Sequence, residues 1–350
     1  MVETERSCFR LSGERNLDRE KKKIRSFEVA ELAQISRSTV SRALAGDPRI
    51  SEDTRERVLA AAAELGYQPN LIARGLKNQS TGIVGVVVTD LNNPYHAHAL
   101  QLLIEKLGAR RLAPLVFVGD TAEGAESAIE RLMSYQVDAV IALAAPFSSQ
   151  IVRACKAGRK PLVLMNRYDG DETVNVICGD SISAGAMVAD HLVGQGARTF
   201  AYFAGEDSTT ISLDRETGFV KRLNENGFAL SARVSSRYSH AHALKVAPEL
   251  LSSGAQAVFC ANDTLAFALI DAVRQSPAAA VSPLIVGYDN SALASWPIYD
   301  LTSVDQNLEE MTSLTVETAH AIVIASDTPP KRHTIKPYLV ERGSTRIQSA

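Results

Sequence analysis

The chain has 350 residues, 45% of them hydrophobic and 22% charged, with a formal net charge of −3. Its length exceeds one ordinary domain, and its composition can bury a core, so two or three folding units are expected. No apolar run approaches the ~20 residues that span a bilayer, Met1 to Arg25 lack the apolar stretch of a secretory signal, and the cysteines (Cys8, Cys155, Cys178, Cys260) show no Cys-x-x-Cys spacing. These features speak against a membrane protein, a disulfide framework and a zinc site, and for free thiols in a reducing cytoplasm.

Residues 1–25 read as a charged arm without periodicity, expected to be disordered. Lys21, Lys22 and Lys23 leave open either a DNA-contacting arm or a tail without function. Residues 26–66 read as three short helices. The first carries Val29, Leu32 and Ala33 at i, i+3, i+4. Gln34-Ile35 makes a turn, and Ser36 can cap a second helix with Val40, Ala43 and Leu44 on one face. Gly46-Asp47-Pro48 breaks that helix. Ser51 caps a third, with Val58, Ala62 and Leu65 on one face and Gly66 closing it. Residues 67–80 read as a linker. From residue 82 the pattern becomes short apolar strands alternating with amphipathic helices. The strands are Ile83–Val88, Leu115–Val118, Ala139–Leu143, Leu162–Leu164, Phe200–Phe203, Ala257–Cys260 and Leu284–Gly287. This is a βαβ alternation with parallel sheets, long enough for two lobes.

Residues 26–44 satisfy the needs of a helix-turn-helix. Ala30 is small where the helices cross, Ile35 anchors the turn, and Val40 and Leu44 bury one face of the second helix. Arg37, Ser38, Ser41 and Arg42 fall on the other face. Arginine suits bidentate contact with guanine, and serine or threonine reach phosphates and base edges. General basicity contributes little, because residues 26–80 hold seven cationic and seven anionic side chains.

Val29-Ala30-Glu31-Leu32-Ala33-Gln34-Ile35-Ser36-Arg37-Ser38-Thr39-Val40-Ser41-Arg42-Ala43-Leu44 closely resembles the headpiece of the lactose/galactose-repressor (LacI-type) family. So do Ile50–Val58 and Leu65-Gly66-Tyr67-Gln68-Pro69-Asn70. The resemblance runs from residue 26 to about 345. Gln34 departs from it, standing where the family usually has glycine. The implied fold is an all-α helix-turn-helix headpiece (26–66) with a hinge helix (67–80), then an α/β two-lobed domain like the periplasmic sugar-binding proteins (81–350). The lobes are expected at 81–194 plus 306–331 and at 195–304 plus 333–345.

The resemblance also implies roles. Arg37, Ser38 and Arg42 are expected to contact bases, and Thr39, Ser41 and Asn70 to contact phosphates or position the helix. Asn70–Leu76 is too short to be a stable helix alone, and Gly75 weakens it further. By resemblance it is the hinge helix, with Leu76 either wedged between base pairs or packed on the next domain. The effector is expected in the cleft outside the carboxyl ends of strands. Asp90, Tyr95, His96, Asp180, Arg215, Asn262 and Asp289 are placed around it, and they suit a sugar, sugar acid or sugar phosphate. Asp180 and Arg215 could instead form a structural pair. Trp296 could stack on the ligand or pack a crossover between lobes. Leu100, Leu103 and Leu107 could line a dimer interface or the core.

His96-Ala97-His98 and His240-Ala241-His242 lack the further ligands of a metal site, and the glycines form no cofactor loop. No nucleophile–base set appears, which argues against an enzyme. A transport-associated sugar-binding protein would need a signal peptide and no headpiece. The expectation is a cytoplasmic transcriptional regulator with no cofactor, with repression as the family default. It would bind pseudo-palindromic double-stranded operator DNA as a dimer or higher oligomer.

Overall fold

The computed structural model describes residues 24–68, 80–119, 121–145, 149–168, 172–205, 210–275, 282–324 and 329–346. Asn70, Leu76 and nearly all of the N-terminal arm lie outside the described residues. The chain divides into two compact units, Met1–Asn78 and Gln79–Ala350.

In the first unit, α1 (Ser26–Leu32), α2 (Arg37–Leu44) and α3 (Glu52–Leu65) enclose a small core of Val29, Ala30, Ala33, Val40, Ala43, Val58, Ala61 and Ala62. The alanines let three short helices approach closely around two valines from α1 and α2 and one from α3. Leu32, expected in this core, is 44% exposed; Ala30 takes the inward position. Ser36 caps α2, its hydroxyl accepting from the Thr39 amide at 3.2 Å, and Ser51 does the same for α3 through Thr54. Arg57 of α3 donates to the Ala33 carbonyl at 2.7 Å, tying α3 to the end of α1.

The α1–α2 turn is a Schellman motif. Gln34 N–H bonds Glu31 O, Ile35 N–H bonds Ala30 O, and Gln34 sits at φ 53°. A side chain in this left-handed region costs roughly 1–2 kcal/mol. Gly66 performs the same stop at the end of α3 without that cost (φ 63°).

The second unit contains two six-stranded sheets. The first runs β11-β5-β4-β3-β1-β2, formed by β1 (Ile83–Val88), β2 (Ala113–Val118), β3 (Ala139–Leu143), β4 (Leu162–Met165), β5 (Asn175–Gly179) and β11 (Arg332–Ile335), all parallel. Leu102, Leu103 and Leu107 of α4 (Pro94–Ala109) pack with Met311, Val316 and Ala319 of α11 (Leu308–Ile324) on one face. Ile129 and Leu132 of α5 (Ala122–Ser134), with Ile151, Val152 and Cys155 of α6 (Ser149–Ala157), cover the other. Leu103 and Leu107 are therefore core residues, fully buried, and Leu100 packs beside them.

The second sheet runs β12-β10-β9-β8-β6-β7, formed by β6 (Phe200–Ala204), β7 (Leu230–Ser235), β8 (Ala257–Cys260), β9 (Leu284–Tyr288), β10 (Thr302–Asp305) and β12 (Tyr338–Val340). Only β12 is antiparallel to its neighbour. The flanking helices are α7 (Ser181–Gly194), α8 (Thr210–Glu225), α9 (His240–Ser252) and α10 (Asp263–Gln275). Phe200, Tyr202, Phe203, Phe219, Phe259 and Tyr288 fill the core between them. Strand interiors such as Ala139–Leu143 and Phe200–Ala204 are buried at every position, as parallel strands covered on both faces must be.

The chain passes between the lobes three times, between β5 and α7, between β10 and α11, and between β11 and β12. This differs from the expected lobe boundaries in two places. Helix α7 packs Ala184, Val188 and Leu192 into the second core, so the first crossing lies at residue 180 and not after 194. Residues 332–335 pair with β5 in the first sheet, so the last crossing follows 335. Neither run signals its side by periodicity; long-range packing decides it.

Helices α7 and α8 meet at two glycines. A Cβ on Gly185 would overlap the Arg215 carbonyl and lie 2.6 Å from Phe219 N; a Cβ on Gly218 would overlap the Ile182 carbonyl. The obstructing atoms are backbone, which cannot rotate away.

Two outcomes follow from these contacts. Gln34→Gly should stabilise the headpiece by about 0.5–1 kcal/mol, the relief of left-handed strain being partly offset by greater unfolded-state entropy. Slower hydrogen exchange of α1–α3 amides in the full chain checks it, and faster exchange would refute it. Gly218→Ala should lower stability of the second unit by about 1–3 kcal/mol through overpacking. Urea unfolding measures this directly, and an unchanged midpoint would mean that the helices separate without cost.

Candidate functional site

In α2 the core-facing Val40 and Ala43 leave Arg37, Ser38, Ser41 and Arg42 exposed and Thr39 half-buried. The Ser36 hydroxyl lies 2.8 Å from both Ser38 Oγ and Thr39 Oγ1, so it holds the first turn together. Beyond α2, Arg49 forks onto Asp47 at 2.7–3.3 Å and holds that carboxyl well below its ordinary range. A three-helix core with a rigid, polar, outward helix can present side chains to a DNA groove.

The second unit contains a cavity of about 390 Å³ lined from both lobes. Thr89 and Asp90 follow β1, Ala144 follows β3, and Asn166 and Arg167 follow β4. From the other lobe, Ser212 and Arg215 come from α8, Arg237 and Tyr238 follow β7, Asn262 follows β8, and Asp289 follows β9. Each sheet thus presents carboxyl strand ends, near the points where its strand order reverses.

Arg215 is 6% exposed. One terminal nitrogen donates to the Ala261 carbonyl at 2.7 Å, and the guanidinium stacks 3.7 Å above the Tyr288 ring centre. Its Nε is buried without a hydrogen-bond partner, as is Asn166 Oδ1. Two orphaned polar atoms on residues that line one cavity mark its walls as built for polar company.

Asp289 has φ 113° and accepts from Gln306 Nε2 at 2.7 Å. Burial pushes its carboxyl up to about 8, against the pull of the Arg215 guanidinium. Behind it, Asp263 accepts from the Ser291 amide (2.7 Å) and the Ser303 hydroxyl (2.6 Å), and burial lifts it to about 6. Tyr95 is buried, its hydroxyl 3.6 Å from Met311 Sδ of α11. His96 bonds the Asp90 carbonyl through Nδ1 at 3.1 Å, and burial lowers its pKa, so the ring is neutral near pH 7. Asn262 caps α10 through the Leu265 amide. The ring of Tyr238 lies against Gly205, and its hydroxyl is 2.9 Å from Ser212 Oγ.

Of the residues expected around the ligand, Asp90, Tyr95, His96, Arg215, Asn262 and Asp289 line this cavity; Asp180 and Trp296 do not. Asp180 caps α7, taking bonds from Ser183 N (3.0 Å) and Ser183 Oγ (2.6 Å), and so is neither beside the ligand space nor paired with Arg215. Trp296 ends a 3₁₀ turn at 54% exposure. Sequence reasoning misses Asn166, Arg167, Ser212, Arg237 and Tyr238. The first two directly follow a legible strand, so the strand-end rule could have found them. Arg237 and Tyr238 follow β7, an edge strand with little apolar run to announce it. Among the described residues, no three His, Cys, Asp or Glu side chains converge as a metal site, and no helix is long and apolar enough to cross a membrane.

Comparison with known proteins bears on both units. Residues 27–70 match the family described as bacterial regulatory proteins, lacI family, and residues 189–345 match the periplasmic binding protein-like domain. The ribose operon repressor of Haemophilus influenzae is 30% identical over 300 residues, covering 83% of this chain and 89% of that protein. The HTH-type transcriptional regulator AscG of Escherichia coli is 28% identical over 333 residues, covering 91% and 97%. Among solved structures, the transcriptional regulator CelR–cellobiose complex aligns with a TM-score of 0.69 at 26% identity, covering 92% of this chain and 99% of that one. The lac repressor dimer bound to operator and the anti-inducer ONPF aligns with a TM-score of 0.82 at 24% identity, covering 93% and 99%, a likeness of fold. A helix-turn-helix with an outward polar helix, a two-lobed domain with a cavity at its strand ends, and sustained identity to a repressor lead to one conclusion: the chain belongs to the lacI family and is a DNA-binding transcriptional regulator.

Proposed function

We propose that this regulator is a repressor that reads a pseudo-palindromic operator as a dimer in the cytoplasm, and that a small polyhydroxylated effector in the interlobe cavity sets its operator affinity. The observation that carries the effector reading is the cavity itself. It falls within the size range of small-molecule sites, draws hydrogen-bonding side chains from the strand ends of both lobes, and buries Arg215 Nε and Asn166 Oδ1 without partners. The cellobiose held in the CelR complex agrees with it.

The same geometry supplies a route for coupling. Asp289 is bonded to Gln306, which lies in the crossing between β10 and α11, and Tyr95 touches Met311 of α11. A ligand that engages Asp289 and Tyr95 acts on that crossing and biases the angle between lobes. The effector's differential affinity for the two lobe arrangements then sets how strongly DNA binding responds. At the chain's entry into the second unit, the Asp138 carboxylate accepts from Ser80 Oγ (2.8 Å), Thr81 N (2.9 Å) and Gly82 N (2.7 Å), anchoring the linker's end to the first lobe.

On the DNA side, Arg37, Ser38 and Arg42 are the proposed base readers, with Thr39, Ser41 and Asn70 on the backbone and Leu76 as the minor-groove wedge. One such helix reads only a few base pairs, which is why two half-sites are needed.

Arg42→Ala should weaken specific operator binding by about 1–3 kcal/mol per half-site while affecting non-specific DNA less. Fluorescence anisotropy on both DNAs tests this, and equal losses would reduce Arg42 to a phosphate contact. Arg215→Ala should weaken effector binding by at least tenfold, in line with about 1.5–3 kcal/mol for a hydrogen bond to a charged group, yet leave operator binding in place. Arg215→Lys should rescue little, since an ammonium cannot both stack on Tyr288 and fork to a ligand. Titration calorimetry with a sugar found by thermal-shift screening reads both variants; wild-type affinity in Arg215→Ala would sink the cavity assignment.

A further inference from the structure

The two lobes touch directly beside the cavity, at a place where the backbone does not cross between them. Tyr168 follows β4 in the first lobe, two residues after Asn166. Its hydroxyl donates to Asp214 Oδ2 at 2.5 Å, and its carbonyl accepts from Thr210 Oγ1 at 3.3 Å. Thr210 and Asp214 lie in the first two turns of α8, in the second lobe. The tyrosine is also held within its own lobe, where the Arg332 guanidinium of β11 lies 4.0 Å over its ring centre. Desolvation and the Asp214 carboxylate both raise the Tyr168 phenol above its ordinary range, so it keeps its proton and stays the donor. Both side chains are half-buried, and a hydroxyl bonded to a carboxylate is of the stronger, charge-assisted kind. The segments they stand on carry lining residues of the cavity, Asn166 and Arg167 on one side, Ser212 and Arg215 on the other.

We propose that Tyr168 and Asp214 form an interlobe clasp that holds the effector domain closed before any effector arrives, and that the clasp sets the resting balance on which the effector acts. The inference rests on the reading that the angle between lobes controls operator affinity. Hydrogen bonds within one lobe, such as those of Asp138 to residues 80–82 or of Asp263 to Ser291 and Ser303, are the same whether the lobes are open or closed. The bond from Tyr168 to Asp214 exists only when they are closed, so its strength enters the open–closed equilibrium directly. A ligand that binds the closed arrangement has its apparent affinity scaled by the fraction of molecules already closed. The clasp raises that fraction. Tyr168 and Asp214 are thus positioning residues, acting on the effector through the lobe arrangement and not through contact with it.

The test uses the full chain with spin labels on Glu130→Cys of α5 and Glu249→Cys of α9, one exposed site in each lobe. Cys8→Ser leaves Cys155, Cys178 and Cys260 as the native cysteines, all buried. Double electron–electron resonance then reads the separation of the lobes with no effector added. Tyr168→Phe removes one oxygen and keeps the ring beneath Arg332, so the fold is retained. Tyr168→Phe and Asp214→Ala should each add a second separation to the main one of the wild type. Their combination should add no more than either alone, because the two side chains make one contact. Asp214→Asn keeps an acceptor and should restore most of the wild-type distribution. Separations unchanged by Tyr168→Phe, or effects that add in the combination, overturn the clasp. A purely local role would speed amide exchange in the first turns of α8 and leave the separation untouched, which also overturns it. Fluorescence anisotropy on an operator selected from random duplex DNA follows the consequence. Tyr168→Phe should change the operator affinity of the effector-free protein by about three- to tenfold. Lobes that open without any change in operator affinity leave the clasp standing and overturn the control of DNA binding by lobe angle.

Discussion

The contact on which the effector domain depends is the glycine-on-glycine approach of α7 and α8. Gly185 lies against the Arg215 carbonyl, and Gly218 against that of Ile182. This closeness fixes the height of α8 over the second sheet, and with it the point from which Arg215 reaches Ala261 and the ring of Tyr288. The position of a guanidinium so deeply placed is set by packing before any ligand arrives. The aromatic cluster beneath supplies the flat face and the low-polarity surroundings that make the stacking effective.

From that point the organisation of the cavity spreads outward. The Arg215 charge faces Asp289, which is joined through Gln306 to a chain crossing. Asp263 braces the back of the wall by tying the start of α10 to Ser291 and Ser303, and Gly287 leaves room for its carboxylate. The cavity's far wall is therefore a set of short, mutually supporting polar contacts and not a loose collection of surface groups.

Much of this is legible in the sequence, and the reasons differ by region. The three headpiece helices announce themselves through serine caps, a glycine stop and alanine-rich spacing. Strands such as Ile83–Val88 and Ala257–Cys260 announce themselves through unbroken apolar runs, because both faces are covered. Asp90, Asn262 and Asp289 line the cavity because strand ends can be read from where those runs stop; Tyr95 and His96 follow in the helix after β1, and Arg215, on α8, is legible only through the family resemblance. Asp180 misleads because a carboxylate after a strand is also what a helix cap looks like, and only the helix that follows decides between them. Trp296 misleads because a lone aromatic carries no periodicity. Arg237 and Tyr238 are invisible because β7, at a sheet edge, alternates exposed and half-buried residues through most of its length. The assignment of α7 and of residues 332–335 to their lobes depends on contacts distant in sequence, which no local pattern encodes.

The placement of β11 and β12 has a consequence for how the chain folds. Each sheet receives an edge strand from residues 332–340, and the first lobe also needs α11, from residues 308–324, to cover one face. During vectorial synthesis from the N-terminus, the headpiece can close its own small core early, whereas neither lobe can finish until residues 332–340 have left the ribosome. The pairing of β11 with β5, which joins Arg332 to Val176, is distant in sequence and favours late closure of the first lobe. In the interval the nascent protein holds a completed DNA-reading module ahead of an unfinished sensor with two open sheet edges, β5 in one lobe and β10 in the other, a state prone to pairing with its neighbours on the same message.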